Sequence, residues 1–375
     1  MLAVRSGFRC SVLVPLSAAV VLATGAGTWY ALAGDALSHP AGSTTAAAAA
    51  VPPVAPAAKA MDLPWPAEGQ SSVEVEGIGS LGTRGGRTPV PIASVTKVMT
   101  AYVILKNHPM RADAPGAKLV ADQRSADESY SSVETTAPVL AGRTYTQRQL
   151  LELMMVPSGN NVARLLARWD AKNEEAFVRK MNEAAAALGM NRTTYTGVTG
   201  MEASTKSTAT DQLKLARAAM KDPAFRQIVA TPTVTAPGIG VEIPNTNRLL
   251  GENGVIGLKT GSSTPAGGNL MWATTQKIEG TSRLILGVVL HQRANTTPSE
   301  GSTAAQEASR TLITAIRSEL PAALAATAVP SRDGGSAPNP LDGRIARAAC
   351  APRALAPPPM SASSHRGGFT CAPVS

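Results

Sequence analysis

Sheet-like and helical patterns of apolar residues alternate along the middle of the chain. Val73-Glu74-Val75 alternates apolar and polar positions and runs into a glycine-rich turn, which predicts a strand and a hairpin. Residues 77–82 also fit the spacing of a dinucleotide-binding glycine motif, but no helix opens after them, so the hairpin is favoured. Over residues 94–107 apolar side chains recur every three or four positions, which predicts a core-facing helix.

The helical pattern continues and then gives way to strands. Four more helices are predicted at 147–155, 161–169, 173–188 and 211–220, the last with Thr210 as its N-cap. Three segments rich in Val, Ile, Leu and Thr predict strands at 254–263, 270–275 and 283–290. An amphipathic helix at 302–320 closes the pattern. Sheet material at both ends with helices between them predicts an α+β fold in which the first hairpin and the late strands share one sheet.

The first 33 residues carry the pattern of an export segment. Arg5 and Arg9 precede an apolar run over residues 10–33 that ends in Ala31-Leu32-Ala33, a small-x-small sequence suited to signal cleavage. The run is also long enough to anchor the chain in a membrane, so a cleaved signal peptide and an anchor both stay open. Basic residues before the run place the rest of the chain outside the cytoplasm.

Composition divides the remaining chain into a linker, one packed domain and a tail. Residues 34–60 are rich in Ala and Pro and predict a semi-rigid linker, and residues 61–325 hold the periodic patterns of the packed domain. Residues 326–375 lack such a pattern and predict a disordered tail. Cys350 and Cys371 lie in that tail, either as a disulfide or as two unpaired thiols.

Charge and rare residues exclude several classes of function. The 35 Lys and Arg residues outnumber the 26 Asp and Glu residues, giving a net charge of +9. No basic cluster with stacking aromatics accompanies this charge, so nucleic-acid binding is not expected. The four histidines are scattered and none belongs to a metal-binding motif, so no metal and no other cofactor is predicted. A nucleophilic serine would need a base other than histidine, because no GxSxG elbow is present.

Three short motifs carry candidate chemistry. Ser94 and Lys97 lie three residues apart on one helical face, where a neutral lysine amine can take the proton of a serine hydroxyl. Ser158 and Asn160 lie in a tight turn, from which a hydroxyl and an amide can point into one cleft. The third motif is a predicted strand on which a cation and a hydroxyl can bind a carboxylate and glycine allows close approach: Lys259, Thr260, Gly261 and Ser262.

In this order the motifs resemble the SxxK, SxN and KTG elements of the penicillin-recognising serine acyltransferases. The chain is most similar to the low-molecular-mass serine-type D-alanyl-D-alanine carboxypeptidases, over about residues 72–290. The similarity to the family extends beyond the motif residues themselves, over residues 93–102, 150–163, 181–190 and 245–250. The resemblance implies a β-lactamase/transpeptidase-like α+β fold, with an antiparallel sheet flanked by helices plus a helical subdomain, and makes 61–325 the catalytic domain.

The resemblance also implies a role for each motif residue. Ser94 is the acylated nucleophile, Lys97 its general base, and Ser158 with Asn160 the proton relay and carbonyl clamp. Lys259 favours the neutral form of Lys97, Thr260 binds the substrate carboxylate, and Gly261 lets the strand approach. The backbone N–H groups of Ser94 and Ser262 form the oxyanion site. The implied substrate is a peptidoglycan stem peptide ending in D-Ala-D-Ala, and β-lactams are implied covalent inhibitors.

Two departures from the family and two alternative functions accompany this expectation. The turn after Lys259-Thr260-Gly261 is longer than usual, and Arg293 is the nearest candidate for a further carboxylate contact. A class A-like β-lactamase shares the motifs, but no glutamate between the second and third motifs begins the ExxLN phrase of such enzymes. An exported wall-binding protein that has lost catalysis is the other alternative.

Overall fold

The computed structural model describes residues 61–278 and 280–328 together with Ala55. These residues form the predicted strands and helices, and in addition six short strands and two short helices that the patterns did not predict. The strands are β1 (Gln70–Val75), β2 (Gly79–Gly85), β3 (Val90–Pro91), β4 (Lys118–Val120), β5 (Thr144–Thr146), β6 (Lys206–Ser207), β7 (Thr233–Thr235), β8 (Glu242–Pro244), β9 (Val255–Ser263), β10 (Gly267–Ile278) and β11 (Thr281–Gln292). The α-helices are α1 (Lys97–Asn107), α2 (Gln123–Glu128), α3 (Gln147–Met155), α4 (Asn160–Ala171), α5 (Glu174–Ala187), α6 (Ala209–Ala219), α7 (Pro223–Val229) and α8 (Pro298–Ala328).

The long strands form one antiparallel sheet in the order β2-β1-β11-β10-β9. The first hairpin therefore pairs with the late strands, which confirms the predicted α+β arrangement and the hairpin interpretation of residues 77–82. Strand β9 lies at one edge of the sheet, with β10 as its only neighbour within it. The side of β9 away from β10 is therefore not paired with another strand of this sheet.

Helices cover both faces of the sheet. On one face α8 packs against the sheet through a cluster that includes Trp272, Ile285, Leu312 and Ile316. The other face and the helices α1 and α3 to α7 share a second, larger cluster. In this cluster the helices between β3 and β6 pack on one another, as the predicted helical subdomain requires. Its largest buried side chains include Tyr145, Leu150, Phe177 and Phe225.

Three helix starts differ from the sequence prediction by two residues or more. Ser94 lies in a 3-10 turn, Ala93–Thr96, and the α-helix begins only at Lys97. Helix α6 is capped by Thr208, whose side chain accepts from the backbone N–H of Asp211, and not by Thr210. Helix α8 begins at Pro298 and runs to Ala328, past both ends of the predicted segment and past residue 325.

The segments predicted at the chain ends lie largely outside the described residues. This holds for the export segment 1–33, for most of the linker 34–60, and for the tail with Cys350 and Cys371 beyond residue 328. Ala55 is buried and donates its N–H to the carbonyl of Ser80 at 2.9 Å. In the described part of the chain, no helix combines the length and the apolar character needed to cross a membrane.

Candidate active site

The first motif sits where the 3-10 turn meets α1. Lys97 Nζ lies 2.8 Å from Ser94 Oγ, so the amine and the hydroxyl are in hydrogen-bond contact. Lys97 is fully buried, whereas Ser94 is partly exposed. The base is therefore shielded from water while the hydroxyl remains accessible to a ligand.

A neighbouring segment holds this turn in place. Thr100 donates to the carbonyl of Val198 at 2.7 Å, and Lys97 donates to the carbonyl of Thr199 at 3.3 Å. Gly200 has a φ of +85°, and a Cβ there would lie 1.9 Å from the carbonyl oxygen of Ala93. Only glycine allows the segment to pass so close to the turn, because any side chain would collide with its backbone.

The second motif lies at the start of α4. Ser158 has a left-handed backbone with φ 73°, and its Oγ is 3.3 Å from Lys97 Nζ. Asn160 is the first residue of α4, is buried, and donates its backbone N–H to the carbonyl of Thr135 at 2.9 Å. Lys97 thus contacts two serine hydroxyls that the chain separates by more than sixty residues.

The third motif runs along the edge strand β9. A Cβ on Gly261 would lie 2.7 Å from Val95 N and 2.8 Å from Ser94 N, so the strand passes directly beside the nucleophile turn. Lys259 is buried and donates to the carbonyl of Thr260 at 3.0 Å. Ser262 pairs with Gly268 in the ladder with β10. The three motifs therefore meet at the 3-10 turn, where Lys97 contacts Ser94 and Ser158 and β9 passes beside Ser94 at Gly261; we call this region the cleft.

The pKa values of both lysines are lowered, which favours the neutral amine. Burial, followed by the charge of Lys259, holds the pKa of Lys97 well below its usual range. Burial also lowers the pKa of Lys259, to about 7. A neutral amine can accept a proton, so the electrostatics of the site suit Lys97 as a general base.

Replacing Lys259 with methionine tests this coupling. Lys97 must be neutral to accept a proton, so the rate of acylation rises with pH through the pKa of Lys97. Loss of the Lys259 charge raises that pKa, and we expect the acidic limb of the rate profile to move to higher pH by about one unit. The Michaelis constant of substrates with a terminal carboxylate should also rise.

The matched control is Lys277→Met, which removes an exposed lysine from the neighbouring strand β10. It should leave the profile of acylation rate against pH unchanged. An unmoved acidic limb in Lys259→Met would show that the charge of Lys259 does not act on Lys97.

The site contains residues that the motifs did not indicate. Thr246 Oγ1 lies 2.6 Å from Thr260 Oγ1, and Thr199 supplies its carbonyl to Lys97. Glu134 accepts from the Asn160 amide, and Arg164 pairs with Glu134. Thr246 belongs to a family-like phrase, residues 245–250, but Glu134 and Arg164 had no sequence signal because their proximity depends on a loop. Arg293 follows β11 with an exposed side chain.

Metal ligands are not grouped anywhere in the described residues. No three His, Cys, Asp or Glu side chains of residues 61–278 and 280–328 lie close enough together to hold an ion. The side chains of the three motifs are amines, hydroxyls and an amide, which are not a typical ligand set for a divalent metal.

The chain is similar to known proteins across this whole region. A family model described as D-alanyl-D-alanine carboxypeptidase matches residues 81–294. The D-alanyl-D-alanine carboxypeptidase of Streptomyces sp. strain K15 is 32% identical over 227 residues, covering 56% of this chain and 76% of the relative. The D-alanyl-D-alanine endopeptidase of Pseudomonas aeruginosa is 32% identical over 241 residues, covering 62% and 74%.

A solved structure agrees with the sequence comparison. The crystal structure of the Streptomyces K15 DD-transpeptidase superposes with a TM-score of 0.56 at 30% identity, covering 65% of this chain and 95% of that chain. The residues matched by the family model include all three motifs and the strands β9 to β11. The described residues that it leaves out lie at the two ends of the described region. The likeness therefore covers both the sheet edge and the helices that carry the cleft.

Proposed function

This chain belongs to the D-alanyl-D-alanine carboxypeptidase family of serine peptidases, and we propose that its acyl-enzyme forms on Ser94. The enzyme is a D-Ala-D-Ala peptidase, and its proposed substrate is the stem pentapeptide of peptidoglycan. The observation that carries the assignment is the 2.8 Å contact between Ser94 Oγ and the buried amine of Lys97. A hydroxyl beside a neutral amine has the base that it needs to become a nucleophile.

Acylation follows from the positions of the three motifs. Ser94 Oγ attacks the carbonyl carbon of the penultimate D-Ala, and Lys97 Nζ takes the hydroxyl proton. The oxyanion is held by the backbone N–H groups of Ser94 and Ser262, consistent with the close approach of Gly261 to the Ser94 amide. Such donors contribute about 3 kcal/mol each in comparable enzymes. The terminal carboxylate is bound by Lys259 and Thr260.

The leaving group and the ester complete the cycle. Lys97 returns its proton through Ser158, whose hydroxyl lies 3.3 Å from the amine, to the nitrogen of the departing D-Ala. The C–N bond breaks and the ester on Ser94 remains. Lys97 is then neutral again and takes a proton from water, whose oxygen attacks the ester. The tetrapeptide leaves, and Ser94 recovers its proton from Lys97.

The position of Glu134 disfavours the β-lactamase alternative. A class A-like enzyme needs a free carboxylate to activate the deacylating water. Glu134 is the carboxylate nearest the second motif, but Asn160 and Arg164 occupy its two oxygens. Because these two side chains engage the carboxylate, Glu134 is not placed to activate a water, and rapid turnover of penicillin is not expected. β-Lactams should act as covalent inhibitors instead.

A second activity is suggested by the names of some relatives. The Pseudomonas aeruginosa protein that is 32% identical to this chain is named an endopeptidase. An endopeptidase cleaves a D-alanyl bond within a cross-link, for which the same nucleophile and base suffice. Carboxypeptidase and endopeptidase action would then differ in what the cleft accepts beyond the scissile bond.

Release of D-alanine tests the proposal directly. The full chain is incubated with a synthetic pentapeptide that ends in D-Ala-D-Ala, with a cross-linked dimer peptide, and with a fluorescent penicillin. One D-alanine per pentapeptide and a long-lived penicillin adduct are expected. Rapid hydrolysis of penicillin without release of D-alanine would indicate a β-lactamase. Absence of both adduct and product would leave only a wall-binding protein, and cleavage of the dimer would identify an endopeptidase.

The substrate fixes where the enzyme works. Peptidoglycan lies outside the cytoplasm, so the catalytic domain acts there. Export through residues 1–33, with either cleavage or retention as an anchor, is part of the proposal and follows from the sequence alone. The linker 34–60 would then hold the catalytic domain, residues 61–325, away from the membrane.

A further inference from the structure

Glu134 is fixed beside the second motif by a set of short contacts. It lies in the loop after α2, and its side chain is only 10% exposed. Its Oε2 accepts from Asn160 Nδ2 at 2.7 Å. Arg164 binds both carboxylate oxygens, with Nη1 at 3.2 Å from Oε2 and Nη2 on Oε1. The carboxylate therefore has a defined position and a defined partner in the cleft.

The loop that carries Glu134 is itself tied to the start of α4. The backbone N–H of Asn160 donates to the carbonyl of Thr135 at 2.9 Å. The side chain of Asn161 binds both backbone groups of Ala137, at 3.0 Å to the N–H and 2.8 Å to the carbonyl. Glu134 and Asn160 are thus held together by backbone contacts as well as by their own hydrogen bond.

This contact decides which way the Asn160 amide faces. A carboxylate only accepts hydrogen bonds, so the NH₂ group of Asn160 must face Glu134 and the carbonyl oxygen must face away. Asn160 is 1% exposed, and within the described residues its Oδ1 is buried without a hydrogen-bond partner. A buried acceptor without a donor is unfavourable unless a ligand or a reaction step supplies one.

We propose that Glu134 is a positioning residue, which holds the Asn160 amide so that Oδ1 is free to accept a hydrogen bond in the cleft while Ser94 is acylated. The inference rests on the proposed roles of Ser94 and Lys97, and it makes the Asn160 side chain an acceptor in place of the carbonyl clamp that the family resemblance implies. The donor is an N–H group of the substrate peptide or the ammonium that Lys97 becomes when it takes the proton. With the amide reversed, the NH₂ group would occupy this place and could only donate.

Glu134 also acts on the charge balance around Lys97. The charged groups that affect Lys97 are Lys259 on β9, Arg164 on α4, Glu134 in its loop, and Glu202 after Gly200. Lys259 and Arg164 lower the pKa of Lys97, while Glu134 and Glu202 raise it. Removing the charge of Glu134 should therefore keep Lys97 neutral to lower pH. This direction is opposite to that expected for Lys259→Met.

Glu134→Gln is the test, because glutamine can accept or donate and no longer dictates the direction of the amide. The rate constant for acylation by a fluorescent penicillin should fall about tenfold at its pH maximum, the effect of losing one hydrogen bond to a charged group. Its acidic limb should move to lower pH. In an Asn160→Ala background the same substitution should cause no further fall at the maximum.

Glu128→Gln is the matched control. Glu128 also pairs with Arg164, at 3.3 Å, but its recorded contacts are with Arg124 and Arg164 and not with Asn160. It should leave the maximum acylation rate within about twofold of the wild type, since ion pairs near the surface contribute little to stability. Thermal melting compares the folding of all variants, and Glu134→Ala replaces the glutamine variant if that one does not fold.

Three outcomes would overturn the inference. The first is an acylation rate for Glu134→Gln equal to that of Glu128→Gln, and the second is an equal fall with and without Asn160. A fall in the acylation rate without any movement of the acidic limb would also overturn it, because that pattern indicates only a general loss of order in the site. A wild-type chain that forms no adduct would instead overturn the proposed function.

Discussion

Lys97→Arg is expected to lower the rate of acylation of Ser94 by about 10³-fold, within the range that general-base catalysis contributes. Lys97 works only as a neutral amine, and burial with the nearby charge of Lys259 keeps its pKa well below the usual range. A guanidinium stays protonated in the same place and cannot take the proton of the serine. The measurement is the rate constant of acylation by a fluorescent penicillin from pH 5 to pH 10.

Two further variants separate chemistry from packing. Lys97 is completely buried, so the larger arginine could disturb the core, whereas Lys97→Met has similar length and no charge. Methionine should leave the melting temperature close to that of the wild type and still abolish acylation. Lys106→Arg makes the same exchange at an exposed position of α1 and should change nothing. A Lys97→Arg enzyme of normal rate would end the assignment of Lys97 as the base.

Local sequence patterns predicted the contact between Ser94 and Lys97 but not its exact backbone. A spacing of three residues brings two side chains together in an α-helix, and also in a 3-10 turn followed by one. The structure has the second form, and the 2.8 Å contact survives the difference. The chemistry could therefore be predicted correctly although the helix begins three residues later than expected.

The start of α8 carries a capping signal in the sequence that apolar periodicity does not detect. Glu300 accepts from the backbone N–H of Thr297 at 3.0 Å and donates its own backbone N–H to the Thr297 hydroxyl at 3.3 Å. This is a capping box with Pro298 just after the cap, and Thr-Pro-Ser-Glu is its sequence signature. Apolar periodicity alone placed the start at residue 302, because the first turn carries no apolar side chain.

Contacts between distant segments could not be predicted from one sequence. Glu134 and Asn160 are separated by 26 residues, and their contact depends on how β5, α3 and the loops between them fold back on one another. No pattern in residues 129–137 distinguishes Glu134 from the other polar residues of that loop. The motifs therefore predicted the groups that react, and the fold was needed to find the residues that orient them.

Lys97 and Lys259 both have lowered pKa values, and each has its own task in the cleft. Lys259 is buried with a pKa of about 7, so it carries its charge below that pH and loses it above. While charged, it favours the neutral form of Lys97 and attracts the carboxylate of the substrate. A bound carboxylate in turn stabilises the charge of Lys259. Substrate binding and activation of the base are thereby coupled through one amine.

Ser94→Ala is expected to abolish covalent labelling by penicillin completely. Opening of the β-lactam ring adds the whole inhibitor to the serine oxygen, so the intact mass of the wild type should rise by the mass of the inhibitor. Peptide mapping should place that mass on the peptide that contains Ser94. The alanine variant has no oxygen at this position and should keep its original mass even after long incubation.

Ser158→Ala is the informative comparison, because Ser158 is a second hydroxyl within reach of the same amine. Ser158 is 5% exposed and its Oγ lies 3.3 Å from Lys97, whereas Ser94 is partly exposed and lies at 2.8 Å. A buried hydroxyl can pass on a proton, but it has little room to form an ester. Ser158→Ala should therefore be labelled more slowly, and still on Ser94. A mass found on Ser158 in the wild type or in Ser94→Ala would reverse the roles of the two serines.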